Sequence, residues 1–305
     1  MALQLVYHDA YDLHFGDHVF PSVKYKLVRR ELLESAVILP TQIHQPEPAS
    51  EEDMLLVHTP EWVKGLRKGT LSYMEILKLE IPYSRQVVDA FWLAAGGTIL
   101  SARLALTNGV GFNIGGGFHH AFPAHGEGFC AINDIAVAIR RLQKDGAIER
   151  AMVIDADVHH GNGTAAIFAG DRSVFTLSIH QLNNYPELKP PSTLDIHLHD
   201  GVGDEEYVGR LREACELVIP AFRPDLIVYV AGADPYIDDQ LGGLNLTVEG
   251  LRARDLAVFE TALNNRVPVA VTLAGGYARQ LADTVRIHAG TAIAAQQVMA
   301  GTGWA

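Results

Sequence analysis

The residues best equipped for chemistry stand in the run D-A-D-V-H-H-G-N-G, Asp155 to Gly163. Asp157 and His159 lie two apart. On a strand or its extended exit such residues face the same side, so one carboxylate and one imidazole can share a cation. Asp234, at the end of LIVYVAGAD, can supply a third ligand. Two carboxylates and one neutral imidazole offset the charge of a divalent ion and leave a coordination position open, the catalytic type of site. His119 and His120 follow three consecutive glycines, Gly115 to Gly117. Adjacent side chains normally point apart, so a histidine pair serving one site needs the irregular backbone that glycine permits. Tyr277 follows Gly275 and Gly276, where a phenol can donate a hydrogen bond to a developing oxyanion. Each motif has a plain alternative: a polar turn, a surface His-His pair, a tyrosine packed over a bend. Of 14 histidines, however, eight (His119, His120, His125, His159, His160, His180, His197 and His199) fall within one short stretch, which favours a metal or acid–base site.

These groups need a frame that brings them together. Apolar runs of strand length occur at Leu3–Tyr7, Gly109–Ile114, Ala151–Ile154, Val174–Ile179, Leu226–Val230 and Val267–Leu273. Helical patterns separate them: Ser22–Ser35, Pro82–Asn108, Ala131–Lys144, Glu205–Val218, Val248–Asn264 and Arg279–Met299. Ser50 before Glu51, Glu52 and Asp53 reads as an N-cap, and Pro82 and Gly109 read as the start and stop of the longest helix. The strands are almost continuously hydrophobic, as expected when helices cover both faces of a parallel sheet. His180–Asp204 reads as a long loop with a short strand near Leu194–Leu198. We expect one α/β domain over residues 1–305. In such sheets ligands bind at the carboxyl ends of the strands. Four of these runs lead straight into GGGFHHAFPAHGEGF, DADVHHGNG, ADPYIDD and GGYARQ.

Composition narrows the class. With 24 Lys+Arg against 36 Asp+Glu, the net charge of −12 disfavours nonspecific nucleic-acid binding and permits a cationic substrate. Cys130 and Cys215 are the only cysteines, which excludes a disulfide scaffold or a thiolate zinc cluster. No segment reads as about 20 uninterrupted apolar residues, and MALQLVYHDAY lacks the basic region of a signal peptide, so a cytoplasmic protein without a membrane span is expected.

Taken in order, the glycine-rich loop with His119-His120-Ala121, then G-F-C-x-x-N-D (Gly128 to Asp134), D-x-D-x-H-H-G-N-G (Asp155 to Gly163), G-A-D (Gly232 to Asp234) and G-G-Y (Gly275 to Tyr277) resemble the zinc-dependent histone deacetylase superfamily. The likeness runs from His8 to about Ala295, and GADPYIDDQLGGLNLT looks most like the class IV branch and its bacterial relatives. The resemblance implies an arginase/deacetylase-like three-layer α/β/α sandwich around a largely parallel sheet. It makes Asp157, His159 and Asp234 the ligands of Zn²⁺, or of Fe²⁺, and His119, His120 and Tyr277 the catalytic groups. Asp155 is the carboxylate behind His119, and Asn162 stands behind His120 where class I enzymes have Asp. A structural K⁺ or Na⁺ is implied at Asp155, Asp157, His159, Ser178 and Ile179, and a substrate tunnel at Gly128, Phe129 and Tyr185.

A carboxylate stabilises an imidazolium, whereas an amide mainly orients the ring, so His119 should be the more basic of the pair and His120 the proton-transferring base. The implied reaction removes an acetyl or longer acyl group from the side-chain amine of acyl-lysine in a protein or peptide. Acetylpolyamine amidohydrolysis is the nearest alternative. An arginase-like ureohydrolase with two manganese ions would need more carboxylates than these motifs supply, and a non-catalytic binding protein would have no use for the full set.

Overall fold

In a computed structural model that describes residues 2–302, the chain forms one eight-stranded sheet. The elements in chain order are β1 (Gln4–Val6), α1 (Lys24–Glu34), β2 (Ile43–His44), α2 (Glu51–Met54), α3 (Pro60–Lys68), α4 (Tyr73–Leu79), α5 (Arg85–Asn108), β3 (Val110–Asn113), α6 (Asp134–Lys144), β4 (Ala151–Asp155), α7 (Asn162–Ile167), β5 (Val174–Gln181), β6 (Leu194–Leu198), α8 (Asp204–Phe222), β7 (Leu226–Val230), α9 (Val248–Asn264), β8 (Val269–Thr272) and α10 (Leu281–Thr302). The strand order is β2-β1-β3-β8-β7-β4-β5-β6, and every pairing is parallel. Helices α5 and α6 pack together as one outer layer, and α1, α10, α9 and α8 pack successively as another. This is the expected three-layer α/β/α sandwich. Strands β3, β4, β7 and β8 are wholly buried, which explains their mostly apolar character.

Several boundaries differ from the sequence reading, each for a local reason. Ser84, not Pro82, opens α5, because its hydroxyl accepts from the Val87 N–H, a service proline cannot give. Strand β5 continues through His180 and Gln181, since its pairing with β6 carries on to His197 and Leu198. Helix α8 runs past Val218 to Phe222 with Pro220 inside it, and ends at left-handed Arg223. Ser50 does cap a helix, the four-residue α2, in a reciprocal box with Asp53. Helix α5 corrects the expectation about apolar length. It is long and apolar enough to cross a bilayer by composition, but most of it is buried, packed on β1, β3, β8 and α6. Two-residue β2 had no periodic signal, whereas α3 and α4 carried cap signals, Thr59 before Pro60 and Ser72 three residues before Glu75, that the sequence reading did not use.

Because all strands run the same way, their carboxyl ends share one edge of the sheet. Asn113, Asp155, Gln181, Val230 and Thr272 close β3, β4, β5, β7 and β8 there, and the loops after four of them build the site.

Candidate active site

The loop after β3 turns at Gly116 and Gly117, whose φ angles of 68° and 88° suit glycine. Asp134 at the start of α6 ties this turn down, accepting from the N–H groups of Gly117 (3.0 Å) and Phe118 (2.8 Å). The carbonyl of His119 accepts from the Thr164 N–H in α7. Held at both sides, the His119 and His120 rings lie 4.0 Å apart and line the same pocket.

The exit of β4 carries Asp157 and His159, with His159 Nδ1 2.9 Å from Asp157 Oδ1 and 3.4 Å from Asp234 Oδ2. Asp157 Oδ2 accepts from the Gly275 N–H, and Asp234 Oδ1 accepts from the Val158 N–H. The second Asp234 oxygen is buried with no hydrogen-bond partner. Ligand atoms of the three residues lie within 4.8 Å of one another. Glycine is required around them: a Cβ at Gly275 would collide with Asp234 Oδ2 and lie 2.6 Å from Asp157 Oδ2, and one at Gly232 would lie 2.5 Å from Asp157 Oδ2.

The charges tell the same story. Burial, then the charge of Asp157, pushes Asp234 up to about 7. Against the opposition of burial, the positive charges of His119 and His159 hold Asp157 well below the usual carboxylate range. Burial also opposes a charge on His159, but the two carboxylates raise it to about 10. The cluster is short of positive charge, and its O/O/N donors with an orphaned carboxylate oxygen fit a divalent ion such as Zn²⁺.

The two histidines are distinguished as their partners require. His119 Nδ1 lies 2.7 Å from Asp155 Oδ2; burial works against its charge, yet Asp155 and then Asp157 lift it to about 9. His120 Nδ1 lies 2.7 Å from Asn162 Oδ1. Burial and the charges of His119 and His159 put its pKa well below the ordinary value, with the Asn162 bond only partly compensating. The Asn162 amide cannot be turned round. Its NH₂ donates to Glu127 Oε1 at 2.6 Å and its oxygen accepts from the Gly163 N–H, so His120 must carry its proton on Nδ1 and present a lone pair at Nε2.

Tyr277 is also in place. Gly276, at φ 142°, swings the chain so that the Tyr277 ring packs within 6.2 Å of Phe20 and 6.0 Å of Phe129. The Tyr277 N–H donates to Asp239. Burial first, and then the charges of Asp234 and Asp157, raises its phenol well above the ordinary range. Phe129 and Tyr185 both line the pocket of roughly 220 Å³ above these groups. Gly128 (φ 53°) sits so close that a Cβ would press on His120 and Tyr185 at 2.9 Å.

Ser178 stands beside Asp155 in the β4–β5 register, although its hydroxyl lies against His180 Nδ1 at 2.9 Å. Four residues escaped the sequence reading. Glu127 was legible in principle, since a buried amide behind His120 needs an acceptor of its own. Phe20 and wholly buried Lys24, whose Nζ donates to the Ala274 carbonyl at 2.7 Å, had no signal beyond a helical pattern and its flank. Arg254 is buried inside α9 and donates to the carbonyls of Ala156 and Gly232.

Comparison with known proteins shows the family. The histone deacetylase domain matches residues 18–292. The chain belongs to the histone deacetylase family. It is 32% identical to histone deacetylase 2 of Arabidopsis thaliana over 93% of this chain and 78% of that one, and 34% identical to a probable deacetylase of Archaeoglobus fulgidus over 91% and 82%. It is 41% identical to an uncharacterized protein of Picosynechococcus over 94% and 96% of the two chains. The fold matches the crystal structure of the HDA15 HD domain with a TM-score of 0.82 at 24% identity, covering 98% of this chain and 91% of that one. Family and fold together support a deacetylase-type hydrolase.

Proposed function

We propose that this deacetylase-family protein is a metal-dependent lysine deacylase, hydrolysing the amide between an acyl group and the side-chain amine of lysine in a peptide or protein. The observation that carries the reading is the convergence of Asp157 and His159 with His119, His120 and Tyr277 around one pocket, with Asp234, one oxygen still unpartnered, joining Asp157 and His159 from behind as a third donor. The three ligands would hold Zn²⁺, or Fe²⁺, and such an ion supplies Lewis acidity, which polarises a carbonyl and makes water a better nucleophile.

The remaining work falls to the chain. His120, neutral and protonated on Nδ1, takes a proton from the attacking water at Nε2 and returns it to the departing amine. His119, paired with Asp155 and lifted to about 9, stays an imidazolium at neutral pH and stabilises the negative charge that grows as the carbonyl is attacked. Tyr277, protonated throughout the working pH range, donates to the forming oxyanion. Phe20, Phe129 and Tyr185 exclude water from the stem of the substrate, which favours a slim alkyl amine.

Glu80 at the pocket wall suits a cationic molecule, so N-acylated polyamines are a second substrate class with the same chemistry. The motif GADPYIDDQLGGLNLT supports a place beside class IV, and hence a test of long acyl groups. We further propose a K⁺ or Na⁺ near Asp155 and Ser178, which are neighbours in register, and cytoplasmic residence, which suits two free buried thiols. The decisive assay presents acetyl-lysine and myristoyl-lysine peptides and acetylputrescine to zinc-loaded protein and measures released amine. Turnover of the lysine peptides is expected. Turnover of acetylputrescine alone shifts the assignment to polyamines, and no release from any of the three overturns it.

A further inference from the structure

Away from the pocket, a second group of histidines and acids has no part in this reaction. His160, His180 and Asp195 bring ligand atoms within 4.8 Å of one another. Strand periodicity builds the cluster. Ser178 and His180 near the end of β5, and Asp195 and His197 in β6, are pairs two residues apart and so share a face. The parallel register sets Ser178 beside Asp195 and His180 beside His197. His160 reaches them from the turn between β4 and α7, its ring edge-on to His180 at 4.6 Å, while His180 is edge-on to His197 at 4.8 Å.

Hydrogen bonding leaves two atoms of this group without a partner. His180 Nε2 and His197 Nδ1 face each other at 2.9 Å, two imidazole nitrogens with room for one proton between them. His160 Nε2 lies 3.3 Å from Ser192 Oγ and 3.2 Å from Asp195 Oδ1, yet that carboxylate oxygen is buried without a hydrogen-bond partner, and so is His160 Nδ1. The outer contacts are already those of oriented ligands: Ser178 Oγ lies 2.9 Å from His180 Nδ1, and the Ser192 N–H donates to the other Asp195 oxygen at 2.9 Å.

We propose that His160, His180, Asp195 and His197 form a second metal site, a four-coordinate centre for Zn²⁺ separate from the one at Asp157, His159 and Asp234. Three imidazoles and one carboxylate are a zinc-type donor set, unlike the all-oxygen sets of calcium or magnesium. With His197, which meets the group through His180, as the fourth ligand, no open position would remain and the site would be structural. His160 and His180 are wholly buried, and His197 is the exposed member of the group. The ion would fasten β6, the edge strand, to the turn that carries His159. The segment between β5 and β6 holds Asn184 and Tyr185, both in the pocket wall, so the centre would also steady that wall.

The test counts zinc per chain by elemental analysis and measures affinity by competition with a chromophoric chelator. The full chain is expected to bind two equivalents. The Asp157→Asn/Asp234→Asn double variant should keep one, and Co²⁺ in its place should show the visible absorption of a tetrahedral centre. His197→Gln, at an exposed position, should leave the fold intact while weakening the second equivalent at least about tenfold. Zinc-free melting temperatures of His197→Gln and the parent should coincide. A double variant that binds no zinc, or a His197→Gln protein that binds two equivalents as tightly as the parent, overturns the proposal. If the double variant does not fold, the parent and His197→Gln decide alone: a second equivalent held at least about tenfold more weakly by His197→Gln supports the site, and equal affinities refute it.

Discussion

Replacing Glu127 by Ala tests how the pocket fixes the proton on His120. Glu127 Oε1 accepts from the Asn162 amide at 2.6 Å and from the Tyr185 hydroxyl at 3.2 Å. Asn162 is 98% shielded, with a relative exposure of 2%. Removing the carboxylate therefore leaves a buried NH₂ without an acceptor, a penalty of about 1–3 kcal/mol. A flipped amide escapes part of that penalty by turning NH₂ toward His120 Nδ1, which forces the imidazole proton onto Nε2 and disables the base. Only the Gly163 N–H still opposes the flip. At about 1.4 kcal/mol per factor of ten, kcat should fall roughly 10- to 100-fold. Glu127→Gln keeps an acceptor oxygen and should recover most of the rate. Tyr185→Phe removes only the weaker of the two bonds and should leave kcat near the parent value, with any change in KM. Nitrogen-15 NMR of the histidine rings reads the tautomer directly and would not respond to a general loosening of the loop. A folded Glu127→Ala protein with parental kcat and an unchanged His120 tautomer refutes the reasoning.

Tyr277→Phe should keep its zinc but lose roughly 10²- to 10³-fold in kcat, because the ring still packs on Phe20 and Phe129 while the oxyanion donor is gone; loss of metal from this variant would contradict the assigned role. Gly275→Ala should lose the zinc equivalent at Asp157, His159 and Asp234, since its methyl group enters the space of both carboxylates; a parental zinc affinity at that site counts against the placement. His58 predicts an acid-sensitive stability. Its Nδ1 donates to the Phe122 carbonyl and its Nε2 accepts from the Asn133 N–H, and burial lowers its pKa to about 4. The unfolded chain takes up a proton below about 6.5 while the native protein does not, so stability falls as the pH drops from about 6.5 to about 4 and then levels off, in total by about 3 kcal/mol. Denaturant unfolding of His58→Gln should show a shallower acid loss than the parent by that amount; equal slopes would remove His58 as the cause.

What could be read from the chain alone follows from where the information is local. Strands β7 and helix α9 were legible to the residue because Leu226–Val230 and Val248–Asn264 carry their full pattern within themselves. The candidate site was legible because a parallel sheet puts chemically capable residues immediately after apolar runs, so Asp157, His159, Asp234 and Tyr277 announce themselves by position. Glu127, Lys24 and Arg254 do not. Each acts on a partner far away in sequence, and nothing near residue 24 reveals that its ammonium group meets the carbonyl of Ala274. Short elements such as β2 fail for the converse reason: a two-residue strand is defined by pairing with β1, not by its own side chains.

Lys24 and Arg254 explain how three separate strand exits keep their spacing. Both side chains are fully buried, a costly placement that persists only when every charge is met. Arg254 in α9 donates to Ala156 O and Gly232 O, the backbone just before Asp157 and just before the Ala233–Asp234 pair, and its Nε donates to Asp255 at 3.0 Å. Asp255 in turn accepts from Tyr229 in β7 and Thr291 in α10. Lys24 in α1 holds the Ala274 carbonyl, next to Gly275, whose N–H meets Asp157. Burial lowers the Lys24 ammonium to about 8, although Asp234, Asp157 and Asp239 work to keep it charged. The loops after β4, β7 and β8 are thus bolted from one side by cations on the helices of a single layer. That leaves Asp157 and His159 free to line the pocket, with the unpartnered Asp234 oxygen buried beside them.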